Sequence, residues 1–134
     1  MDEDIGARAF AAARMMVGVR FRPQGRDPAT GLDCVGLVWE AYAAAGCMLR
    51  APRDYPLRGW REERIVAALA AAGFGVVTDD RDGDVALVEL PAGQFHLGLT
   101  GGDRMVHAHA GLRRVVETPL GAGFARATRW RFEG

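Results

Sequence analysis

The chain of 134 residues contains no lysine, no serine and no asparagine. Each absence removes a chemistry. Without serine there is no Ser-His-Asp nucleophile, and without lysine there is neither a Schiff base nor a phosphate-loop lysine. Without asparagine there is no N-glycosylation acceptor. All 17 basic residues are arginines, matched by 17 acids, so the formal net charge of 0 offers no general attraction for nucleic acid or an anionic membrane. Neither is expected as a partner. The two cysteines, Cys34 and Cys47, are too few for a disulfide framework, and no C-x-x-C pair is present to hold zinc. Long apolar runs are also missing, since none approaches the ~20 residues of a membrane span. The start, Met1-Asp2-Glu3-Asp4, is acidic where a secretory signal carries positive charge, so a chain without an export signal is expected.

What is present suits one domain over residues 1–134. Hydrophobic residues at 49% and charged residues at 25% are ordinary globular values. Ile5, Ala9, Ala12 and Met16 share a stripe, which predicts an amphipathic helix over 5–17 ended by Gly18. Residues 20–32 carry Pro23, Gly25, Pro28 and Gly31 and are expected as an ordered loop. Asp33 is a good N-cap and Gly46 a natural stop, predicting a second helix over 33–45. A loop over 47–60 then leads to a third helix over 61–72, with Glu62 and Glu63 at its positive end. Beyond Gly73 the period changes, and strands are predicted at 74–78, 84–90, 95–100, 104–108, 113–117 and 124–132. Three helices followed by five or six antiparallel strands define an α+β domain.

Cys34 falls in the first turn of the second predicted helix, where the dipole and unpaired amides favour a thiolate. It is a candidate nucleophile, although an unpaired cysteine on an apolar helix face also serves as a small buried hydrophobe. All three histidines lie in one predicted hairpin. A Gly101-Gly102 turn would pair Thr100 with Asp103 and set His96 directly opposite His107 on one face. Such a pair can act as base and orienter for a thiol; cross-strand packing, or a metal site completed by His109, are the alternatives. The metal alternative lacks an H-E-x-x-H spacing and a placed carboxylate, so no metal or other cofactor is expected.

In order and approximate spacing, Asp33-Cys34-Val35-Gly36-Leu37-Val38, Gly83-Asp84-Val85, His96-Leu97-Gly98-Leu99 and Val106-His107-Ala108 resemble the NlpC-type cell-wall peptidases. The segment Arg114-Val115-Val116-Glu117-Thr118-Pro119-Leu120 is similar to the phage and gene-transfer-particle branch. The resemblance implies a papain-like α+β fold of three N-terminal helices on a five- to six-stranded antiparallel sheet. It further implies Cys34 as nucleophile, His96 as general base and acid, and His107 as the polar group that orients His96. The lack of asparagine also leaves His107, rather than an amide, for that third role. The implied substrate is a peptidoglycan stem peptide, cut between D-glutamate and the diamino acid. Phage-like tail proteins are the implied partners, and the wall would be reached inside an assembled particle or after lysis.

One position departs from the resemblance. A tyrosine usual before the nucleophile is replaced by Phe21, and Gln24 in the same loop is expected to supply the missing donor. Asp33 is expected to cap the helix and to be available to a substrate amine. Trp39, Tyr42, Trp60, Trp130 and Phe132 are expected in the core or lining a groove. Asp79, Asp80, Asp82 and Asp84 lack calcium-loop spacing and are expected in a solvated turn. Two other functions are compatible with these residues: a thiol amidase or acyltransferase on a different amide, and a non-catalytic tail-tip component.

Overall fold

The computed structural model describes residues 5–50, 62–90, 94–121 and 127–134. In order, the elements are α1 (Ile5–Met15), β1 (Arg26–Asp27), β2 (Gly31–Leu32), α2 (Cys34–Ala44), α3 (Glu62–Ala71), β3 (Phe74–Val77), β4 (Val85–Leu90), β5 (Gln94–Gly101), β6 (Arg104–His109), β7 (Arg114–Pro119) and β8 (Thr128–Phe132). Six strands form one antiparallel sheet in the order β3-β8-β4-β5-β6-β7, and β1 and β2 form a separate ribbon. The expected loop over 20–32 is therefore ordered by strand pairing, including bridges from Arg20 to Arg114 and from Phe21 to Leu32. Among the described residues, no helix is long and apolar enough to cross a membrane.

The buried centre of the molecule is α2. Val35, Leu37, Val38, Ala41 and Tyr42 are each at most 1% exposed, so this helix is apolar nearly all round and is covered on several sides. It packs with α1 residues Ala9, Phe10 and Ala13 onto one face of the sheet, formed by Val85, Leu87, Leu97, Leu99, Val106, Ala108 and Val115. Trp39 and Trp130 join this core, Phe132 packs at its margin, and Trp60 lies outside the described residues. Gly36 is required where α2 meets the preceding loop, because a Cβ there would lie 1.9 Å from the carbonyl oxygen of Gly25. On the other sheet face Ala86, Val88 and Met105 form a smaller cluster that Leu120 and Ala127 cover.

The acidic turn is solvated at Asp79, Asp80 and Asp82, as expected, while Asp84 is buried, and the turn is also tied to the sheet. Arg131 meets both Asp84 oxygens at 2.9 Å and also Asp79, Arg129 meets Asp80 at 3.0 Å, and Asp82 accepts the Gly102 amide. Asp84 is 1% exposed, so removing Arg131 would leave a buried carboxylate without its main partner. Tyr42 of α2 donates its hydroxyl to the Gly83 carbonyl at 2.7 Å, tying the central helix to the same turn.

The hairpin between β5 and β6 differs from expectation by two residues. Gly101 pairs with Arg104, so the turn is Gly102-Asp103, with Gly102 at φ +58. A glycine with positive φ at the first central position suits the tight turn of a twisted hairpin. Gly101, now a strand residue, lies under the Phe10 ring of α1, where a Cβ would come within 2.4 Å, so the position requires glycine. The displacement is even in register, so every side chain keeps its expected face.

Candidate active site

Asp33 prepares the start of α2. Its Oδ1 accepts the Gly36 amide at 2.7 Å and its Oδ2 accepts the Gln24 amide at 2.9 Å, so one carboxylate caps the helix and fastens the preceding loop. Gln24 holds φ +58, a conformation that costs a non-glycine residue energy, and its side chain is exposed. Phe21, with no hydroxyl to offer, is half-buried against the core. Replacing Asp33 by alanine is expected to lower unfolding free energy by about 2 kcal/mol, since a cap is lost and a second amide loses its acceptor. A urea midpoint that moves with an unchanged slope would show it.

Cys34 follows as the first residue of α2 and is half-buried. Backbone amides of Leu97, Val35 and Cys34 itself face the sulfur and favour its anion. Burial nevertheless dominates, and with the adjacent Asp33 carboxylate it pushes the thiol up to about 12. The amides at the start of α2 pull the thiol down as expected, and burial pulls it up by more. A resting thiol must give up its proton as it reacts, so a base is needed close by.

Strand pairing brings candidates for that base. β5 pairs with β4 from Leu90↔Gln94 to Val85↔Leu99, but its pairing with β6 covers only Leu99↔Val106, Thr100↔Met105 and Gly101↔Arg104. Toward residue 96 the strands β5 and β6 part, which exposes the Leu97 backbone to the start of α2. His96 is the neighbouring residue. Its Nε2 lies 2.9 Å from Nδ1 of His107, with the rings edge to face at 5.0 Å. The shifted turn makes the two histidines diagonal neighbours instead of a directly opposed pair, and diagonal positions on one face remain in reach for long side chains.

A further partner was not singled out from the sequence. His107, 5% exposed, places its Nε2 3.0 Å from the Thr118 hydroxyl of β7. His107 pairs with Val116 and Met105 with Thr118, so Thr118 is a diagonal neighbour of His107, as His107 is of His96. The only signal in the sequence was its place in the segment after the second histidine. His109 lies at the rim as expected: its Nδ1 accepts the Leu112 amide and its ring stands 5.8 Å from that of His107.

The electrostatics of the cluster favour neutral rings. Burial lowers His96 to about 3, with the His107 and His109 charges adding to the effect, and burial followed by His109 lowers His107 to about 4. A neutral imidazole that donates through one nitrogen keeps a lone pair on the other, which is the form a general base requires. Among the described residues no group of three histidine, cysteine or acidic side chains is arranged to hold a metal ion.

Neither a protein-family model nor a curated protein matches the chain. Solved structures do match, and they share the NlpC/p60 fold. The NlpC/p60 domain of the peptidoglycan hydrolase SagA superposes with a TM-score of 0.61 at 22% identity, over 93% of this chain and 96% of that one. An NlpC/p60 family protein from Bacillus cereus gives 0.64 at 19% identity, over 94% of this chain and 39% of that one. The peptidoglycan hydrolase RipB from Mycobacterium tuberculosis gives 0.62 at 20% identity, over 94% and 64%. The chain therefore spans nearly all of the SagA domain but less than two thirds of the other two.

Proposed function

We propose that the chain is a cysteine peptidase that hydrolyses an amide bond in peptidoglycan stem peptides. The observation that carries this reading is the meeting of a thiol at the start of α2 with the backbone amide beside His96, whose ring is held by His107. The substrate class is supported by the fold, which is that of peptidoglycan hydrolases. His96 accepts the thiol proton as sulfur attacks the amide carbonyl, and the resulting oxyanion meets the backbone amide of Cys34 at the start of α2. The C–N bond then breaks as His96 returns the proton to the leaving amine. Water, activated by the same histidine, cleaves the thioester and restores the thiol.

The bond proposed is that between D-glutamate and the diamino acid. Carriage on a phage-like particle, with action at the wall from inside that particle or after lysis, is the corresponding biological setting, supported by the resemblance of residues 114–120 to the phage branch. Phe21 and Gln24 lie in the loop that Asp33 fastens; Asp33 itself is buried, with each carboxylate oxygen accepting a backbone amide, so its part in the reaction is to hold that loop and the start of α2. The test is digestion of purified peptidoglycan followed by mass spectrometry of the released fragments. Fragments with a new amino terminus on the diamino acid are expected. Release of fragments cut in the sugar strand, or no release, would overturn the reading.

A further inference from the structure

We infer that Thr118 is a positioning residue: by accepting a hydrogen bond from Nε2–H of His107, it fixes the tautomers of both histidines so that His96 keeps an open Nδ1. The inference rests on the proposed reaction for its consequence, but on geometry alone for its premise. Two contacts, 2.9 Å from His96 Nε2 to His107 Nδ1 and 3.0 Å from His107 Nε2 to Thr118 Oγ1, form one chain. Each contact needs one proton, and a neutral imidazole carries one N–H. The chain therefore runs wholly in one direction or wholly in the other.

In the direction from His96 to Thr118, His96 donates through Nε2, His107 accepts at Nδ1 and donates through Nε2, and the threonine oxygen accepts. His96 Nδ1 is then a lone pair. In the reverse direction the threonine hydroxyl donates to His107, whose Nδ1–H donates to His96, and His96 carries its proton on Nδ1. That ring can accept no proton at the nitrogen it has left. When a thiol proton moves to His96, the ring becomes doubly protonated and must donate from Nε2 as well. Only an unprotonated His107 Nδ1 can receive that donation, and this forces the His107 proton onto Nε2, where Thr118 is the acceptor at hand.

Thr118 suits this task because it accepts without adding charge. A carboxylate at the same place would stabilise a doubly protonated His107 and compete for the proton. The cost of losing the acceptor follows from burial, since His107 is 5% exposed and an N–H stripped of its partner there gains little from water. The sequence offers no serine for the same role, so threonine and tyrosine supply all of the chain's side-chain hydroxyls.

The test compares wild type, Thr118→Val and Thr118→Ser by ring 15N chemical shifts at pH 7 and by stem-peptide hydrolysis. In wild type both His96 and His107 are expected as Nε2–H tautomers. Valine is expected to mix the tautomers and lower kcat about tenfold or more, with KM little changed. Serine is expected to restore both readouts. A wild-type His107 protonated on Nδ1, a valine variant with wild-type tautomers and kcat, or a serine variant as impaired as valine would overturn the inference. Should valine fail to fold, the wild-type shifts and the serine variant decide. The shifts are read without substrate, so a protein inactive on peptidoglycan would refute the proposed function while leaving the tautomer result standing.

Discussion

Cys34→Ala is expected to abolish stem-peptide hydrolysis, lowering kcat by a factor on the order of 10⁵ or more while the protein remains folded. The size follows from covalent catalysis. Alanine removes the atom that forms the new bond to the carbonyl, and the remaining amides and histidines stabilise only what water attacks unaided. Stability should change little, because Cys34 is half-buried at a helix start and its backbone hydrogen bonds stay in place. Serine is a poor replacement, since no thiol-like acidity remains for His96 to exploit. A muropeptide assay in which Cys34→Ala keeps wild-type turnover would assign the chemistry elsewhere. Near-wild-type circular dichroism and urea midpoint in the same variant would show that loss of turnover is not loss of fold.

The second large effect is on stability against acid. Burial holds His96 at about 3 and His107 at about 4 in the folded chain, against 6.5 for an exposed histidine. As pH falls below 6.5, the unfolded chain takes up protons at these two sites and the folded chain does not. The stabilisation is therefore complete above about pH 7 and is lost as pH drops toward 4, at about 1.4 kcal/mol per pH unit for each neutral ring. Glu117 acts in a lower window: Arg14 and Arg104 hold its carboxyl below the usual value of 4.5, so its contribution is lost only as pH falls into the carboxylate range. Urea midpoints measured from pH 7 to pH 4.5 should fall steeply in wild type and less in His107→Gln. A midpoint flat over that interval would contradict neutral burial of the pair.

Helix boundaries were legible because their signals are local. Asp33 and Gly46 bracket α2 as a cap and a stop, and Gly73 separates α3 from β3. Placing Cys34 at the start of α2 and both histidines on one face followed from the same signals and from strand alternation. The hairpin register did not, because Gly101-Gly102 and Gly102-Asp103 are both acceptable turns. The observed register sets Gly101 under the ring of Phe10, about ninety residues earlier in the chain, a packing contact that no local pattern shows. Cys34 shows the same limit in energy: the helix dipole is visible in sequence, but the depth of the sulfur is a property of packing. Thr118 required the β6–β7 register, which no local pattern supplies. Likewise, the four aspartates read as a solvated turn, and three of them are exposed; that Asp84 is buried against Arg131 of β8 depends on a strand more than forty residues later.

Attack by the Cys34 sulfur is the central claim, and intact-protein mass spectrometry tests it most directly. Wild type mixed with a soluble stem peptide and quenched in acid within milliseconds should show a fraction of the protein heavier by the acyl fragment, and peptide mapping should place the added mass on Cys34. Turnover with no adduct on Cys34, joined to undiminished turnover by Cys34→Ala, would contradict it.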